Sequence, residues 1–83
     1  MSADNMPGGD VAEIRIITEV AGRVCELLQD IGAQIADGDD IALIEAMKME
    51  IPVASNAAGT ITQIVVKVDD VVAEGQTIAI IET

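Results

Sequence analysis

Apolar and polar residues alternate in the first regular part of the chain, residues 13 to 18. Ile14, Ile16 and Thr18 are spaced two apart, which would place them on one face of an extended strand. The segment is also rich in β-branched side chains, which favour strands. A second strand is expected from Arg23 to Leu28. Its apolar positions break the period of two, which predicts a β-bulge or a change of sheet.

The pattern that starts at Gly22 occurs twice, at a constant offset of 37 residues. Gly22 aligns with Gly59, and Gly38 aligns with Gly75, without a gap. The aligned apolar pairs are Val24 with Ile61, Leu27 with Ile64, Leu28 with Val65, Ile31 with Val68 and Ile35 with Val72, and the run 41–45 aligns with 78–82. Since each copy is too small to bury its own apolar face, the repeat predicts two interlocking β-units related by a pseudo-twofold axis.

Two turns are expected at matching places in the copies. Segments 36–39 and 73–76 contain Gly38 and Gly75, which are expected to supply positive φ angles. The other turn has Gly32 in the first copy and Asp69 in the second, and aspartate is one of the few residues that tolerate the left-handed region.

Residues 41 to 50 allow a different interpretation, because this segment has good helix propensity. The aligned residues 78 to 82 are strand-like, so the repeat favours a strand in both copies. Pro52 then predicts an edge or irregular position. We therefore expect an all-β domain over residues 12 to 83, preceded by a flexible leader, residues 1 to 11.

Composition limits the core and the partners. The 83 residues include no Phe, Tyr or Trp, so the core must be aliphatic. Fifteen acidic and four basic residues give a net charge of −11, which argues against nucleic acid or an anionic membrane as a partner. There is neither an apolar run of transmembrane length nor a signal-peptide pattern, so a cytoplasmic location is expected.

Little independent chemistry is available to this chain. It has no histidine and one cysteine, Cys25, so a nucleophile–histidine pair, an internal disulfide or a typical zinc site cannot be assembled. Glu45 and Glu50 could act as paired catalytic carboxylates, but exposed carboxylates on a hairpin usually form a solvated surface. A protein that is not itself an enzyme is expected.

Lys48 is the main candidate for a functional residue. Of the two lysines, Lys67 falls inside the second copy and is interpreted as a solvated strand residue. Lys48 instead lies in the connection between the copies, where a hairpin tip would expose it. Its neighbours Met47 and Met49 would point away from it in an extended segment and could form adaptable contacts with a partner protein.

The segment Glu45-Ala46-Met47-Lys48-Met49-Glu50 resembles the attachment motif of biotinyl carrier domains. The likeness to biotinyl and lipoyl attachment domains extends from about Ile14 to Thr83. It implies a flattened β-barrel, or barrel-sandwich hybrid, of two four-stranded antiparallel sheets, with the lysine at a hairpin tip and both chain ends at the opposite edge. It also implies biotin bound covalently to Lys48, with Ala46, Met47 and Met49 recognised by the ligase.

The resemblance further implies a carrier function with three partners. A biotin protein ligase would attach biotin, a biotin carboxylase subunit would carboxylate it with ATP and bicarbonate, and a carboxyltransferase would pass the carboxyl group to an acceptor. The carrier would supply a tethered intermediate at high local concentration rather than a catalytic side chain.

Two departures from the family pattern bear on which complex is served. Many relatives have a proline near the first turn, whereas here Gly22 alone is expected to set it. The gap-free repeat leaves no room for the protruding segment of bacterial acetyl-CoA carboxylase carriers. This favours carriers of acyl-CoA carboxylases, decarboxylases or urea-type carboxylases.

Two other functions share the expected fold. A lipoyl carrier domain of a 2-oxoacid dehydrogenase or glycine-cleavage system usually has an acidic and a small residue beside its lysine, where this chain has Met47 and Met49. An unmodified structural or interaction module would have no reason to keep an exposed lysine at the tip.

Overall fold

The structure, a computed structural model, describes residues 12–83, so the expected leader lies outside the described residues. The described part contains eight β-strands and no helix, which confirms the all-β prediction. The strands are β1 (Glu13–Ile17), β2 (Gly22–Leu27), β3 (Gln34–Ile35), β4 (Asp40–Ala46), β5 (Met49–Ala54), β6 (Gly59–Ile64), β7 (Val71–Val72) and β8 (Thr77–Glu82).

The strands form two four-stranded antiparallel sheets that interlock as the repeat predicts. One sheet has the order β1-β8-β6-β3, and the other has the order β5-β4-β2-β7. Each sheet therefore takes two strands from each half of the chain. Adding 37 to the residue numbers of β2, β3 and β4 leads to β6, β7 and β8, so the two sheets are equivalent under the pseudo-twofold axis.

The repeat also includes β1 and β5, which the sequence alignment did not detect. Ile16 of β1 and Val53 of β5 are both buried, and so are Thr18 and Ser55, which follow these strands. Thr18 Oγ1 donates a hydrogen bond to Val20 O (2.7 Å) and accepts one from Val20 N (3.1 Å). Ser55 forms the same pair of bonds with Ala57. The match is hidden in the sequence because the exposed residues of the two strands differ.

A β-bulge accounts for the broken alternation in β2. The register of β2 against β4 shifts between Val24 and Glu26, and that of β6 against β8 shifts between Ile61 and Gln63. The extra residue is Cys25 in one strand and Thr62 in the other. The prediction of an interruption is confirmed, and the bulge is its cause.

The core lies between the two sheets and is entirely aliphatic, as the composition requires. Inward-facing residues from both halves contribute to it as six equivalent pairs, with Val66 in addition. Its buried members are Ile16, Val24, Ile35, Ile41, Ala42, Ile44, Val53, Ile61, Val66, Val72, Ile78, Ala79 and Ile81.

The predicted positive φ angles are present in the turns. Gly38 has φ 94° and Gly75 has φ 85°, while Gly32 and Asp69, at equivalent positions, have 93° and 80°. The expectation that Gly22 alone sets the turn before β2 is wrong. The Thr18 hydroxyl closes that turn, and Gly22 is needed because a Cβ there would overlap the carbonyl oxygen of Glu45.

Two further expectations concern Pro52 and Lys67. Pro52 lies in β5, which is an edge strand, as predicted. The strand assignment of Lys67 is wrong, because this exposed residue lies in the loop between β6 and β7. The loop crosses from one sheet to the other. Within it, the backbone N–H of Lys67 donates a hydrogen bond to Asp70 Oδ2 (2.9 Å).

Candidate functional site

The site is the tip of the hairpin formed by β4 and β5. Ala46, the last residue of β4, pairs with Met49, the first residue of β5, so the loop consists of Met47 and Lys48 alone. β4 is a central strand, held between β5 and β2. The hairpin base is therefore part of the sheet, while its tip extends beyond it.

The two loop residues have an uncommon backbone conformation. Their φ angles are 53° for Met47 and 65° for Lys48. Positive φ at both central residues of a two-residue loop is the pattern of a type I′ turn, for which Asn and Gly are the usual residues. The left-handed conformation costs an ordinary residue about 1–2 kcal/mol. Retention of Met and Lys at these positions points to a role for their side chains.

This geometry corrects one sequence-based expectation. Met47 and Lys48 do not continue the alternation of an extended strand, because both belong to the turn. The turn could not be predicted from local residue preferences, since Met-Lys is not a typical turn dipeptide. The expected exposure of the tip is nevertheless confirmed. Met47 is 93% and Met49 63% exposed, Lys48 is exposed, and Ala46 is half-buried.

An ion-pair cluster lies beside the base of the hairpin. Arg23 of β2 contacts two carboxylates: its Nη2 lies 2.6 Å from Glu45 Oε1, and its Nη1 lies 2.6 Å from Asp69 Oδ1. The hydrogen bond to Glu45 is the largest cause that raises the pKa of the Arg23 guanidinium, followed by the negative charge of that residue. Sequence reasoning missed this cluster, because Arg23 and Asp69 are 46 positions apart.

Cys25 lies near the same surface but is suited to a structural role. Its Sγ donates to the Leu43 carbonyl oxygen (3.3 Å) and lies 3.9 Å from Glu50 Oε2. Burial, and then the negative charge of Glu50, raise the pKa of the Cys25 thiol. The thiol therefore stays protonated at neutral pH, and the protonated form is a poor nucleophile.

Two surface grooves lie away from the lysine. A groove of about 210 Å³ is bounded by residues 17–20 and 51–54, and one of about 150 Å³ lies beside it. Neither is lined by Met47, Lys48 or Met49. Within residues 12–83, no three His, Cys, Asp or Glu side chains are grouped so as to hold a metal ion. Lys48 is thus exposed at the tip and lies in neither groove.

Comparison with protein families assigns this architecture. The family of biotin and lipoyl attachment domains, described as biotin-requiring enzyme, matches residues 10–81. The chain belongs to this family. The predicted family and covalent biotin cofactor are thereby confirmed, and the four predicted site residues, Ala46, Met47, Lys48 and Met49, lie together at one hairpin tip. The attachment residue itself stays a prediction.

A curated relative supports the same cofactor. The biotinylated protein TB7.3 homolog of Mycolicibacterium smegmatis (strain ATCC 700084) is 49% identical to this chain over 35 residues. The match covers 42% of this chain and 49% of the relative, so it spans about half of each protein.

Solved structures of carboxylases contain the same fold. The Kluyveromyces lactis urea carboxylase matches with a TM-score of 0.81 and 27% identity, over 98% of this chain and 7% of the carboxylase. A single-chain, multi-domain long-chain acyl-CoA carboxylase matches with a TM-score of 0.78 and 27% identity, over 99% and 8% respectively. The chain therefore corresponds to a small part of each enzyme.

The fold also occurs in a protein of a different kind. The succinylglutamatedesuccinylase/aspartoacylase of Rhodobacter sphaeroides matches with a TM-score of 0.67 over 83% of this chain and 21% of that protein. At 12% identity this likeness concerns the fold alone.

The described residues include no helix with the length and apolarity of a membrane span.

Proposed function

We propose that this protein is a biotin carboxyl carrier and that Lys48 is its attachment residue. The observation that carries the proposal is the two-residue turn at the tip, where Lys48 is exposed and its backbone has φ 65°. Such strain persists only where the surrounding structure imposes it, and it is concentrated at functional sites. Here the paired strands β4 and β5 impose it.

The tip is suited to modification by another enzyme. The Lys48 amine, once it has lost a proton, can attack the carbonyl carbon of an activated biotinyl adenylate. The new C–N bond forms as the bond from that carbon to the phosphate oxygen breaks and AMP leaves. An active site that encloses the amine must approach from several sides, which a two-residue tip permits. Met47 and Met49 would provide flexible apolar contacts to the ligase, and the small side chain of Ala46 would leave room for it.

The proposed role after modification is transport rather than catalysis. Bound biotin would supply the carboxyl-carrying ring, while the barrel holds one end of the arm at a fixed point. Tethering raises the local concentration of the carried group at each partner's active site. The partners would be a biotin carboxylase and a carboxyltransferase, which is supported by the structural likeness to a urea carboxylase and an acyl-CoA carboxylase.

The first experiment determines which group is attached and where. The chain is co-expressed with a biotin protein ligase or, separately, with a lipoyl ligase, and intact mass is followed by peptide mapping. We expect one biotin-sized increment on Lys48. Lys48→Arg should remain unmodified, because a guanidinium stays protonated and is not an amine nucleophile. Lys67→Arg is the matched control and should be modified like the native chain.

Two results would contradict the proposal. A lipoyl-sized increment in place of biotin would assign the chain to the lipoyl carriers. Biotin found on Lys48→Arg protein would place the attachment residue elsewhere.

The carrier role is tested next, by supplying the biotinylated chain to a biotin carboxylase with ATP and labelled bicarbonate. Acid-labile label should be retained on the biotinylated chain and not on Lys48→Arg.

A further inference from the structure

The ion-pair cluster of Arg23 is present at only one of two equivalent places in the described barrel. The residues aligned with Arg23 and Asp69 are Thr60 and Gly32, neither of which is charged. The backbone is nevertheless the same. Asp69 N donates to Val24 O at 2.7 Å, as Gly32 N does to Ile61 O, also at 2.7 Å. The barrel therefore forms this turn without an ion pair.

Asp69 occupies a position where glycine would be free of strain. Its φ of 80° lies in the left-handed region, and Gly32 adopts 93° at the equivalent place. In the second copy Asp69 adopts this strained conformation, and its Oδ1 lies 2.6 Å from Arg23 Nη1. Since the fold does not need that carboxylate, its contact with Arg23 calls for another explanation.

Arg23 acts on the base of the lysine hairpin through Glu45. Glu45 and Glu50 are directly opposite on β4 and β5, and like charges in this arrangement destabilise strand pairing. Arg23 places a positive charge 2.6 Å from Glu45, three residues before Lys48. At the other end of the barrel Glu82 and Glu13 are also opposite, but the aligned residue Thr60 brings no cation to them.

We propose that Arg23, anchored by Asp69, is a positioning residue that keeps the Lys48 turn in the conformation that the modifying ligase binds. This inference rests on the proposed function. If β4 and β5 separate at the Glu45–Glu50 pair, the strained turn is the first part of the hairpin to relax. A ligase that binds only the ordered turn then sees a lower effective concentration of substrate, so KM rises while kcat stays constant.

The test uses two charge-removing variants and one control. Arg23→Thr introduces the residue found in the other copy. Asp69→Asn removes the anchoring charge with a residue that tolerates positive φ. Arg15→Thr, on the edge strand β1 of the other sheet, changes the net charge as Arg23→Thr does, at an exposed site away from the hairpin. Arg15 and Asp69 are exposed and Arg23 is half-buried at the surface, so the variants should fold, which thermal unfolding will verify.

Two readouts are measured on each variant. Amide hydrogen exchange at residues 46–49 of the unmodified chain reports opening of the turn without the ligase. Steady-state biotinylation gives KM and kcat separately. For Arg23→Thr and Asp69→Asn we expect exchange to be roughly two- to fivefold faster, the range of an exposed ion pair. KM should rise with it by no more than that factor, because KM scales with the inverse of the ordered fraction. The exchange rate and KM of the double variant should equal those of Arg23→Thr, because the two substitutions remove the same interaction. Arg15→Thr should behave as the native chain.

Contrary results separate the explanations. A raised KM with unchanged exchange would overturn the inference and make Arg23 a direct contact of the ligase. Unchanged values in both readouts would show that the ion pair has no role at the tip. Absence of biotinylation in the native chain would instead refute the proposed function, and the exchange data would still show whether Arg23 orders the turn.

Discussion

The two ends of the barrel share one backbone plan and differ in how they are closed. At one end, Ala46 and Met49 are joined by the turn that carries Lys48. At the other, the aligned residues are Thr83 and Ala12, which belong to opposite ends of the described chain. A hydrogen bond from Thr83 N to Ala12 O (3.0 Å) takes the place of a turn.

This comparison separates the scaffold from the site. The opposed glutamates, the bulges, the buried hydroxyls and the close-packed glycines occur at both ends, so they belong to the scaffold. Within residues 12–83, only the lysine end has the strained Met47-Lys48 turn and the Arg23–Asp69 contact. Substitutions in shared features should therefore have similar effects at both ends.

The largest effect is expected for Gly22→Ala and its counterpart Gly59→Ala. A Cβ at Gly22 would overlap Glu45 O, and a Cβ at Gly59 would lie 2.6 Å from Glu82 O. Backbone atoms cannot move aside as a side chain can. We expect a loss of about 2–3 kcal/mol in the free energy of unfolding, somewhat more for Gly22. Urea denaturation measures this loss. A loss for only one of the two variants would show that the two ends of the barrel are not equivalent.

The next effect is expected at the turn glycines. A Cβ added at Gly75 or Gly38 meets no atom within 4 Å, so we attribute the cost of Gly75→Val and Gly38→Val to the positive φ angle. A β-branched residue there should lower the free energy of unfolding by about 2 kcal/mol. Gly75→Asn is the matched control and should cost less, because asparagine tolerates this region. Equal losses for Val and Asn would argue against backbone strain as the cause.

A somewhat smaller effect is expected for the two buried hydroxyls. Thr18→Val and Ser55→Ala each remove a hydroxyl that bonds both backbone polar groups of the residue two positions later. Leaving buried backbone groups without partners should cost about 1–2 kcal/mol in unfolding free energy. Thermal unfolding of the two variants should show similar losses. A loss for Thr18→Val alone would mean that the first turn depends on its hydroxyl and the second does not.

The thiol of Cys25 gives a pH-dependent prediction. Because burial and Glu50 raise its pKa, the protonated, unreactive form persists to higher pH than in an unfolded chain. Alkylation of the folded protein should be slow at pH 7 to 8 and should accelerate only at more alkaline pH. Glu50→Gln removes a negative charge, so it should lower the pKa and speed alkylation at a given pH. An unchanged pH profile would remove Glu50 as a cause.

The smallest effect is expected for Cys25→Thr, which places the residue of the opposite end in the bulge. Cys25 Sγ donates to Leu43 O at 3.3 Å, and Thr62 Oγ1 donates to the aligned Ile80 O at 3.2 Å. Threonine should reproduce this hydrogen bond, so the urea midpoint and biotinylation should not change measurably. A clear loss of either would show that the thiol has a role beyond the bulge.

Much of the fold follows from local patterns in the sequence. The repeat from Gly22 onwards predicts the symmetry, and Gly38, Gly75 and Asp69 predict the turns, because these depend on residues close together in the chain. The repeat over β1 and β5 escaped detection because the exposed residues Arg15 and Ile17 align with the dissimilar Pro52 and Ala54. Thr18 and Ser55, which follow these strands, match in hydrogen bonding rather than in residue type. The need for glycine at position 22 could not be predicted either, because the atom that a Cβ there would overlap, Glu45 O, belongs to another strand.

For the site, the sequence by itself predicted which side chain carries a group: Lys48, between two methionines and at the junction of the two copies. It also determined the aliphatic core and the lack of histidine chemistry, because these are properties of composition. Only the tertiary structure decided that Met47 and Lys48 adopt positive φ and that Arg23 reaches both Glu45 and Asp69. Those features arise from the pairing of distant strands, which fixes backbone angles and side-chain contacts that no local pattern encodes.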